Sequence, residues 1–234
     1  MSRKKMRFGR LTLGVKPRIA AVITGGLSSS LLRKAKRDGA DLLELRVDTF
    51  RRLALEGLKK DVVQARATGL PLLLTVRSAT EGGSKGLDDQ RRLLLYRELT
   101  PLVDAVDVEL ASTIARDVVG VAKKKGKKVV LSYHDFGSTP DDRRLRSLVG
   151  RARRLGADVV KIATTVKDRE DLKRLTALLL KEEGLIVIGM GKRGLVSRVF
   201  FPYLGSLLTY ATVSAKTAPG QPEVKELRRL FSAL

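Results

Sequence analysis

The 234-residue chain contains no cysteine, no asparagine and a single histidine. Without cysteine it can form no disulfide, thiolate metal site or thiol nucleophile, and one histidine leaves a His-based zinc site short of ligands. Aromatic residues make up 4% of the chain, too few for the platforms on which nucleic-acid bases stack. No apolar run approaches the roughly 20 residues that span a bilayer. The basic start, Met-Ser-Arg-Lys-Lys-Met-Arg, is like the n-region of a secretion signal. Residues 8–15, however, carry Arg10 and two glycines, and no small-residue cleavage site follows. A cytoplasmic protein is expected. Glutamine occurs only at positions 64, 90 and 221, so the thermally labile amides are nearly gone from a highly charged chain. That is a thermophile's pattern, and GC-rich codon usage would also produce it.

What the chain does have is positive charge and a regular alternation. A net charge of +22 draws polyanions whatever the fold. Yet the basic residues fall mostly in amphipathic segments such as Arg33-Lys-Ala-Lys-Arg37 and Arg143-Arg-Leu-Arg146, which reads as a solvated face rather than a nucleic-acid interface. Short runs rich in Val, Ile and Leu recur at 18–24, 42–48, 71–77, 105–110, 128–134, 159–164, 185–190 and 209–213. Helical patterns occupy 28–37, 51–67, 88–99, 112–125, 140–155, 169–183, 195–208 and 222–234. Thr139-Pro140-Asp141-Asp142 opens one of them with an N-cap and a first-turn proline. Eight βα units in about 220 residues fit an α/β fold of one domain over 1–234, a single (β/α)8 TIM barrel, better than an open sheet. The basic stretch 1–16 is an N-terminal extension outside the repeat, read as a ribbon closing the barrel bottom in preference to a free arm.

In such a barrel the chemistry collects at the carboxyl ends of the strands. In Glu44-Leu-Arg46-Val-Asp48 the two-residue period turns three charges towards the interior, where charge is costly unless paired or used. Arg77 ends the third run, with Glu81-Gly82-Gly83 following, and His134-Asp135 ends the fifth. Each has a plain alternative: Arg46 and Asp48 as an ion pair, Glu81 and Asp135 as loop residues. Lys161 is the hardest to explain as mere structure. It interrupts Val159-Val-Lys-Ile-Ala163, which reads as buried on both faces, so it must snorkel, pair or react. Burial favours the uncharged amine that attacks a carbonyl to form a Schiff base. His134, one strand away, could move protons beside the imine, with Glu81 or Asp135 orienting its ring. Glycine-rich stretches at 24–28 and 189–194 precede helices, but neither matches a phosphate-binding motif in full. In the last loop Thr217 and Gln221 suit a carboxylate that Arg198 could grip with a bidentate fork.

Taken in order, several segments resemble the type I 3-dehydroquinate dehydratases: Glu44-Leu-Arg46-Val-Asp48, Thr75-Val-Arg77 with Glu81-Gly-Gly83, Ser132-Tyr-His134-Asp-Phe136, Val160-Lys161-Ile-Ala163, Met190-Gly191 with Gly194 and Ser197-Arg198, and Ala218-Pro-Gly-Gln221. The resemblance runs from the first strand to the final helix. It implies loss of water from 3-dehydroquinate to give 3-dehydroshikimate, a step of the shikimate pathway to aromatic amino acids, with no metal or cofactor. It implies Lys161 as the imine-forming amine, His134 as the base that later returns a proton, and Glu81 as support for the imidazole. Glu44, Arg46 and Arg77 would meet the ring hydroxyls of this small anionic substrate, and Arg198, Thr217 and Gln221 its carboxylate. A homodimer is implied too, although no residue marks an interface. Ile188, Tyr210 and Thr217 stand where methionine, phenylalanine and serine are frequent; bulk or hydroxyl is preserved, so the departures bear on affinity rather than on the reaction. Two rivals use the same residues differently. A class I aldolase would employ Lys161 to cleave a carbon–carbon bond, and a basic nucleic-acid-binding module would make the polar strand ends incidental.

Overall fold

The computed structural model describes residues 6–84, 86–213 and 221–234. It begins with an antiparallel hairpin, β1 (Met6–Phe8) and β2 (Leu11–Leu13). Strands and helices then alternate: β3 (Ile19–Ile23), α1 (Ser29–Arg37), β4 (Leu42–Arg46), α2 (Leu55–Arg66), β5 (Leu72–Thr75), α3 (Asp89–Leu99), β6 (Ala105–Glu109) and α4 (Ala115–Lys124). The second half repeats the pattern with β7 (Lys128–Asp135), α5 (Asp142–Leu155), β8 (Val159–Thr165), α6 (Arg169–Lys181), β9 (Leu185–Met190), α7 (Leu195–Leu204), β10 (Thr209–Thr212) and α8 (Val224–Ala233). The parallel ladder runs β10-β3-β4-β5-β6-β7-β8-β9, so the last strand returns to the first. This is a (β/α)8 barrel. Its seam lies between β9 and β10, where the Leu207 N–H donates to the Leu185 carbonyl at 2.8 Å and Ser206 Oγ accepts the Val187 N–H at 3.0 Å.

Two apolar layers follow from the strand period. Side chains facing outward, such as Leu43, Leu74, Val106, Leu131 and Ile162, pack with the helices in one buried cluster. The inward set forms a second cluster whose lower part is Leu42, Leu73, Ala105, Val130, Val159, Ile186 and Leu208. Phe8 and Leu13 of the hairpin are fully buried in that cluster, so the ribbon closes the barrel from below. With the floor apolar and sealed, the polar residues of the upper half face one opening.

Local chemistry explains where elements end differently from the expectation. α5 starts at Asp142 because Asp141 is its cap, accepting the Arg144 N–H at 2.7 Å; Pro140 precedes the helix, and the Thr139 hydroxyl donates to the Thr165 carbonyl at 2.9 Å. α7 stops at Leu204 because Gly205 takes φ 122°. β4 stops at Arg46: Val47–Thr49 coil into a short 3-10 turn, so Asp48 is not on the strand and the two-residue period does not reach it.

Candidate active site

Register brings the candidate side chains to one level. Lys161 on β8 pairs in the ladder with Ser132 on β7, which lies opposite Glu109 on β6, while Thr75 on β5 lies opposite Asp107. Lys161 is 5% exposed, and its Nζ sits 3.0 Å from Asp107 Oδ2, 3.7 Å from Glu44 Oε1 and 4.2 Å from the centre of the Tyr210 ring. Of the options open to a buried lysine, pairing is the one realised. Glu44 is held in turn by the Thr75 hydroxyl at 2.8 Å. Burial alone would raise the Asp107 carboxyl, but Arg77 and then Lys161 hold it well below the usual carboxylate range. Two carboxylates and an aromatic face thus form a cradle around Nζ.

Arg77 is buried among acceptors: it donates to Glu109 at 2.9 Å, to Asp107 at 2.9 Å and to Ser132 Oγ at 2.7 Å. Asp107 and Glu109 overcome the opposing effect of burial and raise its pKa. Just beyond, Ala79–Glu81 form one 3-10 turn that aims Glu81 at β7. Glu81 Oε2 accepts the His134 backbone N–H at 3.0 Å and lies 2.8 Å from His134 Nδ1. Burial pushes Glu81 up to about 7 against the pull of Arg77, and the same desolvation, with Arg77 and Lys161 adding to it, lowers the His134 pKa well below its usual value. At neutral pH the imidazole is uncharged. Asp135, the other candidate for orienting that ring, instead accepts the N–H groups of Gly137 and Ser138, each at 2.9 Å, and caps the turn after the strand. Phe136 stacks beside His134 with ring centres 6.4 Å apart. Gly83 has no room for a side chain, since a Cβ there would lie 2.1 Å from the Arg77 carbonyl oxygen.

One pocket at the carboxyl end of the barrel is lined by Glu44, Arg46, Arg77, Glu81, His134, Lys161, Arg198 and Gln221, together with Tyr210, Ile188 and Met190. Thr217 lies outside the described residues. Arg46 faces the pocket while forking onto Asp48 at 2.9 and 2.8 Å, so it is both an ion-pair partner and part of the wall. Arg198 differs from the other cations. It is 8% exposed and donates to the Tyr210 carbonyl at 3.2 Å, and among the described residues no carboxylate lies within ion-pair distance. Burial pulls its pKa down to about 10. In the 189–194 stretch Gly189 and Gly194 pack against each other: a Cβ on Gly194 would fall 2.3 Å from the Gly189 carbonyl carbon, where α7 crosses the end of β9.

Residues 26–234 match the family model for type I 3-dehydroquinase. The chain belongs to that family. Over 98% of its length it is 39% identical to the 3-dehydroquinate dehydratase of Methanosarcina barkeri, covering 99% of that protein. The crystal structure of the 3-dehydroquinate dehydratase from Aquifex aeolicus superposes with a TM-score of 0.85 at 35% identity, over 93% of this chain and 98% of that one. The type I enzyme of Clostridium difficile, crystallised with covalently modified comenic acid, superposes with a TM-score of 0.90 at 30% identity, over 99% and 98%. As a type I 3-dehydroquinase the chain is a lyase, and the aldolase and nucleic-acid readings fall away. Three residues bound to this 3-dehydroquinase site had no reading from the sequence: Asp107, Glu109, and Arg92 on α3, which lies outside the pocket and donates to Glu109. The first two had a signal, since Ala105-Val-Asp-Val-Glu109 shows the same inward alternation of charge that singled out Glu44 and Arg46.

Proposed function

We propose that this enzyme dehydrates 3-dehydroquinate to 3-dehydroshikimate through an imine on Lys161, without metal or cofactor. The observation that carries the reading is a buried amine in a cation cradle, sharing one pocket with a neutral histidine whose Nδ1 is occupied by Glu81. Lys161 gives one proton to solvent and adds as the free amine to the ketone carbon; the ketone oxygen, taking one proton from the amine nitrogen and one back from solvent, leaves as water to give a protonated imine. The positive charge then sits where Asp107, Glu44 and the Tyr210 ring favour it, so stabilisation is strongest as the electron sink forms. His134 Nε2 takes the proton from the neighbouring carbon, and the resulting enamine expels the hydroxyl one carbon further on. His134 returns its proton to that hydroxyl, which departs as water, and hydrolysis of the imine restores Lys161 and the product ketone. Arg198, with Gln221 and Thr217, holds the substrate carboxylate; Glu44, Arg46 and Arg77 meet the ring hydroxyls.

Borohydride added to protein and 3-dehydroquinate reduces the imine to a stable amine, and mass spectrometry should map a substrate-sized adduct to Lys161. Lys161→Ala should lose both adduct and turnover. Folded wild-type protein that gives neither adduct nor product would sink the proposal.

The same reading makes the chain one catalytic domain, working in the cytoplasm as a homodimer. No helix among the described residues is long and apolar enough to cross a membrane. Pairing is supported by a face of α7 on which Val196, Phe200 and Tyr203 recur at helical spacing, Phe200 being 54% exposed, with Tyr203 meeting Phe231 of α8 edge-on at 5.8 Å between ring centres. Phe200→Glu should convert a dimer to a monomer in light scattering, and a dimer of unchanged strength would remove this face from consideration.

A further inference from the structure

Arg92 lies on α3, in the helical layer outside the barrel, and it is 1% exposed. A guanidinium buried this far is costly unless its N–H groups are placed. Those of Arg92 are: Nε donates to the Val76 carbonyl at 2.9 Å, Nη1 to Asp89 at 2.6 Å and Ser112 Oγ at 3.2 Å, and Nη2 to Glu109 Oε2. The other oxygen of Glu109 accepts from Arg77 at 2.9 Å and from the Ser78 backbone N–H at 2.8 Å. From there two arms diverge. Arg77 reaches Asp107, which holds Lys161. Ser78 caps the turn that carries Glu81, which holds His134. One buried carboxylate therefore fastens the amine arm and the base arm together, and Arg92 is the cation on its far side.

We propose that Arg92 is a positioning residue for catalysis, setting Lys161 and His134 through Glu109 while staying outside the pocket and touching no substrate. The proposal rests on the imine reading above. Without Arg92, Glu109 would have a buried charge balanced from one side, and it would draw Arg77 away from Asp107. Displacement of a reacting group by an ångström can cost about 100-fold in rate, so Arg92→Met, folded, should lower kcat by between about tenfold and 100-fold. KM should stay within about threefold, because Arg198, which grips the substrate carboxylate, is held by the Tyr210 carbonyl and makes no hydrogen bond to Glu109.

The test is steady-state kinetics on 3-dehydroquinate for wild type, Arg92→Met and Arg92→Lys, with Val62→Ala as a core variant that lowers stability only. Arg92→Lys, which restores a cation to Glu109, should recover most of kcat, and Val62→Ala should keep it. Folded Arg92→Met with kcat within about twofold of wild type overturns the proposal, as does an equal loss in Val62→Ala. Should Arg92→Met fail to fold, Arg92→Gln, which still offers Glu109 an N–H but no charge, is judged by the same kcat criterion. Inactive wild-type protein would instead defeat the reading of the reaction itself.

Discussion

The pairing of Glu81 with His134 allows a pH dependence to be derived. Glu81 titrates near 7 because burial disfavours its charge, whereas His134, lowered well below its usual value, stays neutral over the same range. When Glu81 is ionised, Nδ1 carries the ring proton and donates it to Oε2, leaving Nε2 free as a base. When Glu81 is protonated, its O–H donates to Nδ1 and the ring proton moves to Nε2, where it blocks proton abstraction. On the proposed mechanism, activity belongs to the ionised form. It is lost as pH falls through about 7, with roughly nine-tenths of the active form at pH 8 and one-tenth at pH 6.

Glu81→Gln separates orientation from charge. The amide oxygen can still accept both the Nδ1–H and the His134 backbone N–H, so the tautomer is kept at every pH, but the charge that steadies the imidazolium is gone. A hydrogen bond to a charged group contributes about 1.5–3 kcal/mol against about 0.5–1.5 for a neutral one. The loss is thus about 1–2 kcal/mol, or roughly 5- to 30-fold in kcat. The assay is kcat between about pH 5.5 and pH 9, read from the ultraviolet absorbance of the conjugated product. Wild type should show the rising limb near 7, and Glu81→Gln should be slower and flat. A limb that survives in Glu81→Gln, or an unchanged kcat, would refute the assignment.

Two further substitutions divide binding from chemistry. Arg198→Gln removes a buried cation that no carboxylate balances among the described residues, and substrate affinity measured by calorimetry should fall by about 2–4 kcal/mol, with kcat much less affected. Unchanged affinity would take Arg198 out of the carboxylate grip. His134→Ala should cost about 10²–10⁴ in turnover while borohydride still traps an adduct on Lys161; a fully active variant would end the role of His134 as base.

The legible part of this molecule was the part written at strand periodicity. Lys161 stood out because nothing apolar excuses a lysine between Val160 and Ile162, and Glu44 with Arg46 stood out because two charges shared one face. Asp107 and Glu109 carry the same pattern inside the run 105–110, which by itself reads only as a strand, because a carboxylate inside a barrel is tolerable only beside cations that come from other strands. Arg92 had no local signal at all. It sits in Arg91-Arg92-Leu93-Leu94-Leu95, where either arginine could face solvent, and its burial is decided by Glu109, 17 residues away. At Asp48 the period misleads in the opposite sense, because the strand ends at Arg46 and Val47–Thr49 coil into a 3-10 turn.

The net charge of +22 says little about how the substrate is chosen. Around the site the half-buried Arg46 and the buried cations Arg77, Arg92 and Lys161 pair with as many buried carboxylates, Asp48, Glu109, Asp107 and Glu44. Such a network cancels its own field at a distance, and its function is geometric: each charge fixes the next. Arg198 is outside that balance, with a backbone carbonyl for a partner and its pKa pulled down to about 10 by burial. On the proposed reading, a carboxylate on the substrate supplies the counter-charge that no described residue gives Arg198, so its binding would relieve a desolvation cost already present in the free enzyme. The surface charge attracts many anions over long range and discriminates poorly, whereas a single buried guanidinium sharing one pocket with Lys161 would, on that reading, select an anion that also carries a ketone.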